Sequence, residues 1–426
     1  MSLEWIEGVP ADWHISKAQF VLDYQKRDVQ EDDEIVTAFR DGQVTLRRNR
    51  RTDGFTMAEK EIGYQHICEG DLVVHSMDGG FGAIGVSDSC GKASPVVHAY
   101  TSSLCDLRFV AYQLRAAVKA GWIAALAKGI RVRSTQFDRP ALASLNIAYP
   151  SFETQQRIAD YLDRETAEID AAVADLDRYV ELLEKRRQVM IAQSVTRGIG
   201  LDRARVHPCS VQGGEGMTNV KNSDVYWLGK VASDWEVVPA WRVMTERREK
   251  SLPDDVHLTP SQTHGVLTQK EYMDRTGNKV VLNLAGADNM KRVRAGDFII
   301  HLRSFEGGIE ASTINGKVSN AYTVLTPAPD AHFGYYRWFM KSVPLIEGLA
   351  SSTDQLRDGQ SINFSRFSRL SLPFPPFETQ QRIADYLDRE TTEIDSLISE
   401  STRFRKLLLK RRSVLIAEVV TGRKQV

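Results

Sequence analysis

One segment of fifteen residues occurs twice in this chain without a single change. Residues 152–166 read FETQQRIADYLDRET, and residues 377–391 repeat them. The similarity continues more loosely past this block, where residues 185–187 (KRR) recur as residues 410–412. The spacing of 225 residues is far longer than the roughly 20 to 50 residues of a solenoid repeat. The chain therefore contains one unit, a domain followed by a helix, in two copies.

The segments that precede the two identical blocks are related but much less similar. The pair Asp12-Trp13 recurs as Asp234-Trp235, and residues 70–75 (GDLVVH) recur as residues 296–301 (GDFIIH). Between these matches the two copies differ freely. A nearly fixed helix that follows a variable domain predicts two domains that recognise different things.

Length and charge restrict the class of protein. A chain of 426 residues is long enough for two to four domains. Its 55 Lys and Arg residues balance 56 Asp and Glu residues, so any basic surface must be local. There is no signal-peptide pattern and no apolar run near 18 residues, which predicts a soluble, cytoplasmic protein without a membrane partner.

The four cysteines, Cys68, Cys90, Cys105 and Cys209, have no paired spacing. Reduced thiols are the favoured interpretation. A zinc site built from His66 and the first three cysteines is the alternative, but the second copy keeps none of these cysteines. We therefore expect no metal in this chain.

The repeated segment predicts a long helix over residues 153–196 and again over residues 378–421. Neither stretch contains proline or glycine, and apolar side chains recur every seven residues along one seam. The obvious partner of each amphipathic rod is the other rod, and antiparallel pairing would place the two domains at opposite ends. The seams are Leu162, Ile169, Leu176, Leu183 and Met190 in the first copy, and Leu387, Ile394, Ser401, Leu408 and Leu415 in the second.

Ser401 and Arg405 interrupt the second seam where Leu176 and Val180 stand in the first. We interpret this interruption as a partly exposed stretch of the helix, or as a feature that sets the register of the two rods, in preference to a functional role.

The parts that precede the rods predict an α+β fold. Short β-branched runs bounded by Asp-Gly and Gly-Gly turn signals occur beside helical patterns at 106–128 and 335–349. Proline-rich segments lead into both rods. The predicted boundaries are a first domain at 1–150, a central helix at 151–198, a linker at 199–222, a second domain at 223–375 and a C-terminal helix at 376–426.

Motifs of catalysis are weak or absent. Residues 80–85 (GFGAIG) match a dinucleotide fingerprint, but residues 86–91 have no helical pattern to support a pyrophosphate. The second copy has a different sequence there, so a glycine-rich hairpin is the better interpretation. A phosphate loop, an Asn-Pro-Pro-aromatic motif and an Asp…Glu-x-Lys pattern are all missing. The chain is therefore predicted to be no enzyme.

Each domain carries a local cluster of arginines. Arginine suits both phosphate binding and bidentate contacts to guanine edges. A run of arginines is often only a solvated surface, but its occurrence in both copies favours contact with DNA. The first cluster contains Arg40, Arg47, Arg48, Arg50 and Arg51, and the second contains Lys291, Arg292, Arg294 and Arg303, with Arg242, Arg247 and Arg248 near the start of that domain. The further candidates for DNA contact, close to the Gly-Asp strands, are His75, Ser76, Lys92, His301, Ser304 and Lys317.

The arrangement resembles the specificity (S) subunit of a type I restriction-modification enzyme. The residues that carry this resemblance are the repeated Pro-Ser/Pro-Phe-Glu-Thr-Gln-Gln-Arg-Ile at 150–158 and 375–383, with Trp-Leu-Gly at 227–229. The first copy departs from the usual pattern, since Glu7 follows Trp5-Ile6. The resemblance covers essentially the whole chain.

The resemblance implies a non-catalytic subunit with two target recognition domains, each of which reads one half of a bipartite, asymmetric DNA sequence. The rods would form a coiled-coil spacer with pseudo-twofold symmetry. They would dock two modification (methyltransferase) subunits and, through them, the restriction/translocase subunits. S-adenosylmethionine would bind those partners and not this chain. The implied docking residues are Gln155, Gln156, Arg157, Gln380, Gln381 and Arg382. The alternative function is a coiled-coil scaffold whose end domains bind proteins.

Overall fold

The computed structural model describes residues 8–50, 62–123, 137–200, 219–278, 290–302, 304–351 and 362–426. Arg51, Cys209 and Arg303, which the sequence singled out, lie outside these ranges. The chain divides into two compact units. The first contains Met1–Asp177 and Thr402–Val426, and the second contains Arg178–Ser401.

The strands of the first unit are β1 His14–Lys17, β2 Asp23–Gln25, β3 Val36–Ala38, β4 Val44–Leu46, β5 Gln65–Ile67, β6 Leu72–His75, β7 Ile84–Val86, β8 Gly91–Ala93, β9 Val97–Thr101 and β10 Asn146–Tyr149. Four of them form an antiparallel sheet in the order β2-β9-β6-β7. The hairpin β3–β4 and the pairs β5–β8 and β1–β10 complete the strand pairing of this unit. Its short helices are α1 Leu107–Lys119 and α2 Arg139–Ser144.

The long helix α3, Phe152–Arg197, leads from the first unit into the second. In the second unit the strands are β11 Val220–Asn222, β12 Lys230–Ala232, β13 Glu236–Pro239, β14 Met244–Glu246, β15 Leu258–Ser261, β16 Gly265–Thr268, β17 Lys291–Val293, β18 Phe298–Ile300, β19 Glu310–Ala311, β20 Gly316–Val318, β21 Thr323–Pro327 and β22 Ser371–Phe374. Its helices are α4 Ala240–Val243, α5 Gln269–Thr276, α6 Ser304–Gly307, α7 Phe333–Phe339, α8 Val343–Ser351 and α9 Phe364–Phe367, followed by the second long helix, α10 Phe377–Val420.

The two units share one scheme of strand pairing. The sheet order β14-β21-β18-β19 repeats β2-β9-β6-β7, and the pairs β13–β22, β15–β16 and β17–β20 repeat β1–β10, β3–β4 and β5–β8. The predicted α+β fold and the internal duplication are thus confirmed. The hairpin β11–β12 occurs only in the second unit among the described residues. It includes residues 220–222, which the sequence had assigned to a linker.

Each unit has a large and a small hydrophobic core. In the first unit, Phe109 and Leu114 of α1 pack with Leu162 of α3 and Val419 of α10. Asp106 starts α1 by accepting hydrogen bonds from the main-chain N–H groups of Arg108 and Phe109, as an N-cap should. The helix predicted over 335–349 is in fact two helices, α7 and α8, separated by residues 340–342.

The long helices pair in antiparallel fashion within the first unit. The guanidinium of Arg412 lies 2.8 Å from Asp170, and that of Arg405 lies 2.6 Å from Asp177. From Asp170 to Asp177 the chain advances seven residues along α3, while the partner residues go back seven along α10, from Arg412 to Arg405. This is the pattern of an antiparallel pair. Arg405, which interrupts the apolar seam of α10, thus makes a charged contact with α3. This contact supports the interpretation that Arg405 sets the register between the two long helices.

The second unit contains the equivalent ion pair, Arg187 with Asp395 at 3.1 Å. One arginine of each repeated basic triplet, Arg187 and Arg412, thus bridges the two long helices. Gly198 and Gly422 follow the two long helices with φ of +85° and +71°. This left-handed conformation suits the glycine that ends a helix. No helix in the described part of the chain has the length and apolarity needed to cross a membrane.

Candidate nucleic-acid interface

The exposed arginines of the first unit form ion pairs at the surface. Arg40 lies 2.8 Å from Asp78 and Arg48 lies 2.5 Å from Glu34, with 66% and 63% of each arginine side chain exposed. Exposed pairs of this kind contribute only about 0–1 kcal/mol to stability. An arginine can therefore exchange its carboxylate for a phosphate at little cost.

Two of these arginines also lie over aromatic rings. Arg40 is 4.9 Å from the centre of the Phe81 ring, and Arg50 is 4.2 Å from that of Phe39. Stacking holds the planar guanidinium in one orientation, which favours directional hydrogen bonding. Arg47 is different, because it is partly buried and its Nε donates to Thr37 Oγ1 at 3.2 Å.

The basic residues of the second unit surround one carboxylate. Arg292 and Arg294 donate to Glu249 Oε1 at 2.7 and 3.0 Å. These two hydrogen bonds lower the pKa of Glu249 to about 2. Lys317 donates to the main-chain oxygen of Pro253 at 3.2 Å. The cluster is close to the surface, with 53% of the Arg294 side chain exposed.

Several candidates near the Gly-Asp strands are framework residues. His75 Nδ1 accepts from the Asp78 main-chain N–H at 3.1 Å, and burial lowers the pKa of this imidazole. Ser304 is fully buried and accepts from the main-chain N–H of His301 at 2.9 Å. Both histidine–serine segments therefore shape the turn that follows the central strand.

The remaining two candidates, Ser76 and Lys92, are partly buried. The main-chain N–H and C=O groups of Ser76 bond to Val96 and Phe137, and Lys92 lies opposite His66 in the β5–β8 pair.

The repeated Gly-Asp motif has a structural explanation that the sequence did not reveal. Asp71 is 3% exposed, accepts from the Cys68 main-chain N–H at 2.8 Å and pairs with Arg27 at 2.5 Å. In the second unit, Asp297 pairs with Arg247 at 2.7 Å. Arg247 is therefore a partner of a buried carboxylate, not a free surface cation. In the sequence, an arginine that precedes each Gly-Asp strand is the signal that could have predicted these buried ion pairs.

The implied docking residues divide into two kinds. Gln155 is fully buried: its Oε1 accepts from the Asp106 N–H at 2.9 Å, and its Nε2 donates to the carbonyls of Leu104 and Pro150. Gln380 is buried in the same way, with bonds of 2.7 Å from the His332 N–H and 2.8 Å to the Pro375 carbonyl. These two glutamines bind their own domains and cannot present their side chains to a partner. The four exposed residues, Gln156, Arg157, Gln381 and Arg382, remain available.

Metal binding finds no support in the described residues. No group of three or more His, Cys, Asp or Glu side chains in that part of the chain could hold an ion. Cys68, Cys90 and Cys105 are free thiols. Cys90 accepts a hydrogen bond from the Glu69 N–H at 3.3 Å, the role that Asn315 plays for Ala295 in the second unit.

Comparison with known proteins adds to this geometry. Residues 246–400 match the family described as type I restriction modification DNA specificity domain. No curated protein matches the chain.

Two solved structures are similar over nearly the whole length. The HsdS subunit from Thermoanaerobacter tengcongensis aligns with a TM-score of 0.53 and 13% identity, over 97% of this chain and 98% of that one. A structure described as the basis of complex assembly and conformational transition of the type I R-M system aligns with a TM-score of 0.63 and 12% identity, over the same shares. At such identities the likeness shows a common fold.

The family match and the internal repeat lead to the same assignment. The matched residues 246–400 contain most of the second domain and the identical block at 377–391. The first half of the chain repeats that arrangement strand by strand. Residues 246–400 therefore contain a type I restriction modification DNA specificity domain, and the first unit repeats the strand pairing of that domain.

Proposed function

We propose that this chain is the DNA sequence-specificity subunit of a type I restriction-modification enzyme and that it recognises a bipartite, asymmetric target. The observation that carries the proposal is a framework present twice with different surface residues. Both units have the same strand pairing. The first displays Arg40, Arg48 and Arg50, whereas the second displays Arg292 and Arg294 in other positions.

Two domains with unlike surfaces should read two unlike half-sites. Their arginines would bind phosphates and supply the salt-dependent part of the affinity, while side chains of the loops would contact base edges. The chain itself carries out no catalysis in this proposal. S-adenosylmethionine would be bound by the modification subunits, and the complex would work in the cytoplasm.

The long helices would dock two modification subunits, which in turn would bring in the restriction subunits. Support comes from exposed residues that the duplication has kept. Tyr179, Leu182 and Val189 of α3 are 43%, 57% and 52% exposed. Their counterparts Phe404, Leu407 and Val414 of α10 are 54%, 52% and 45% exposed. Exposed apolar side chains at equivalent positions suit a partner that is present twice.

The decisive experiment is to identify the methylated motif. The chain should be co-expressed with its modification subunits in cells that lack adenine methylation, and methylated adenines should be mapped across the genome. We expect a motif of two specified halves that flank an unspecified gap. The purified chain alone should transfer no methyl group and cut no DNA. Failure of the assembled complex to bind DNA in a mobility assay at any salt concentration would favour the scaffold function instead.

A further inference from the structure

A groove of 270 Å³ lies between α1 and the last part of α10 in the first unit. Three cations line it, Arg115, Lys119 and Arg412, and no carboxylate does. Its floor is apolar and includes Val414, which is 45% exposed, and the buried Ile416. A concave surface that combines positive charge with apolar contact area is suited to bind a ligand that has both features.

Arg412 has a carboxylate partner, since it pairs with Asp170 at 2.8 Å. Lys119 Nζ donates to a neutral group, Ser413 Oγ, at 3.0 Å. The guanidinium of Arg115 also donates to a neutral group, the main-chain oxygen of Asp41.

The carboxylate of Asp41 is occupied by Arg50 at 2.7 Å. Within the described ranges, no carboxylate lies at ion-pair distance from Arg115. Its pKa is lowered by burial and by the nearby charge of Arg412. The site thus holds a positive charge that an anion would stabilise.

In the second unit, a carboxylate pairs with the residue that is equivalent to Arg115. Lys341 stands where Arg115 stands, since it donates to the main-chain oxygen of Gln262 in the turn between β15 and β16. Lys341 also pairs at 2.5 Å with the carboxylate of Glu310, which is 4% exposed. In the strand register, Glu310 lies opposite Ile299. The second unit therefore neutralises its cation with a carboxylate of its own.

The first unit has a glycine at the position of that carboxylate. Gly85 lies opposite Val73 in β6–β7, as Glu310 lies opposite Ile299 in β18–β19. A Cβ atom on Gly85 would come within 1.9 Å of the carbonyl oxygen of Gly42. No side chain can therefore be placed there, and the first unit has no counterpart of Glu310 that could pair with Arg115.

We propose that this groove binds an acidic, amphipathic segment of a partner protein. A glutamate or aspartate of the segment pairs with Arg115, and an apolar neighbour packs on Val414. The proposal rests on the proposed docking function and makes it asymmetric, because the second unit satisfies Lys341 internally.

DNA is the less suitable occupant, since a phosphodiester chain offers no aliphatic side chain to the apolar floor. In addition, Arg108, two turns earlier on the same face of α1, is surrounded by the carboxylates Asp106, Asp160 and Asp163.

The test uses the full chain and a dye-labelled helical peptide of repeating Glu and Leu residues, with a matched peptide in which Gln replaces Glu. Fluorescence anisotropy should show that R115Q weakens binding of the Glu peptide about tenfold, the effect of losing one charged hydrogen-bonded pair. R115K should retain binding, because lysine occupies this position in the second unit. The Gln peptide should bind the wild-type chain and R115Q equally.

R275Q is the matched control. It removes one positive charge from the second unit at an exposed side chain in the last turn of α5, and it should leave peptide binding unchanged. V414S should weaken both peptides. Equal affinity of wild type and R115Q for the Glu peptide would overturn the proposal. A loss of duplex DNA binding by R115Q with unchanged peptide binding would overturn it too, in favour of a phosphate site.

The two proposals fail separately. The peptide assay needs neither DNA nor other subunits, so its result stands whatever the methylation map shows. Conversely, a wild-type complex that reads no DNA would disprove the specificity function and leave the peptide result intact.

Discussion

At the scale of single residues, identity between the two copies has two different causes. Gln155 and Gln380 are identical because each is a buried side chain that satisfies main-chain groups of its own domain. Gln156 and Gln381 are identical although both are exposed, which is the pattern expected if both contact the partner subunits proposed above. Sequence identity alone could not separate these cases, because burial depends on the packing of distant segments.

Replacing the buried glutamine should destabilise the protein far more than replacing its exposed neighbour. Q155A leaves the Asp106 N–H and the Pro150 carbonyl without partners, and each such buried group costs about 1–3 kcal/mol. Q156A should change the free energy of unfolding by less than about 0.5 kcal/mol. Urea unfolding followed by circular dichroism measures both. Equal values for the two variants would show that the hydrogen bonds of Gln155 are not structural.

The arginines show the same limit of sequence reasoning. Arg247 looks like the other basic residues in the sequence, yet it is 16% exposed and is paired with the buried Asp297. Arg294, with 53% of its side chain exposed, is a better candidate for contact with DNA. Only the folded structure distinguishes a structural cation from an available one.

At the scale of elements, the long helices were the most predictable part of the chain. Their heptad pattern, absence of proline and terminal glycines are local signals, and the helices observed over residues 152–197 and 377–420 differ from the predicted ranges by one residue at each end. The seam is buried as expected at Leu162, Leu183 and Leu387. The heptad pattern did not predict the ion pair of Arg405 with Asp177, because this pair depends on the register between two helices.

A matched insertion should lengthen the spacer without disturbing its register. One heptad added after Asp177 and one before Thr402 keep the pairs Asp170–Arg412, Asp177–Arg405 and Arg187–Asp395 in place. The added length is about 10 Å at 1.5 Å per residue, or about three base pairs of DNA at 3.4 Å each. The map of methylated adenines should show an unspecified gap longer by about three base pairs and unchanged half-sites.

The control is a heptad in α3 alone, which leaves the inserted residues without a partner and should lower the thermal stability. An unchanged gap in the doubly extended protein, with methylation intact, would exclude the long helices as the spacer.

At the scale of the whole molecule, duplication gives two frameworks whose strand order is the same and whose surfaces have diverged. The core positions of the β6–β9 pair in the first unit, such as Val73 and Ala99, have counterparts Ile299 and Val324 in the second. Exposed charges differ between the units: Arg294, which is 53% exposed and whose N–H donates to Asp297, occupies the position where Cys68 donates to Asp71 in the first unit. Packing restricts the core, whereas the surface is free to adapt to a new target.

Exchange of one reading surface should therefore alter one half of the target. Residues 40–105 would be replaced by the corresponding residues of a related chain, with both long helices retained. The methylated motif should change in one specified half and keep the other half and the gap length. The reverse exchange in the second domain is the matched control and should change the other half. A change in both halves after a single exchange would contradict the assignment of one half-site to each domain.

The sequence by itself determined the duplication, the long helices and the α+β class, because periodicity and repeated motifs are properties of neighbouring residues. The tertiary structure decided which of the chosen residues are available to a ligand. His301 and Ser304 are buried within the framework, and the environment of Arg115 is set by Gly42, Gly85 and Arg412, which are far apart in the chain. Burial and electrostatic compensation arise from contacts between distant segments, and a linear pattern does not contain them.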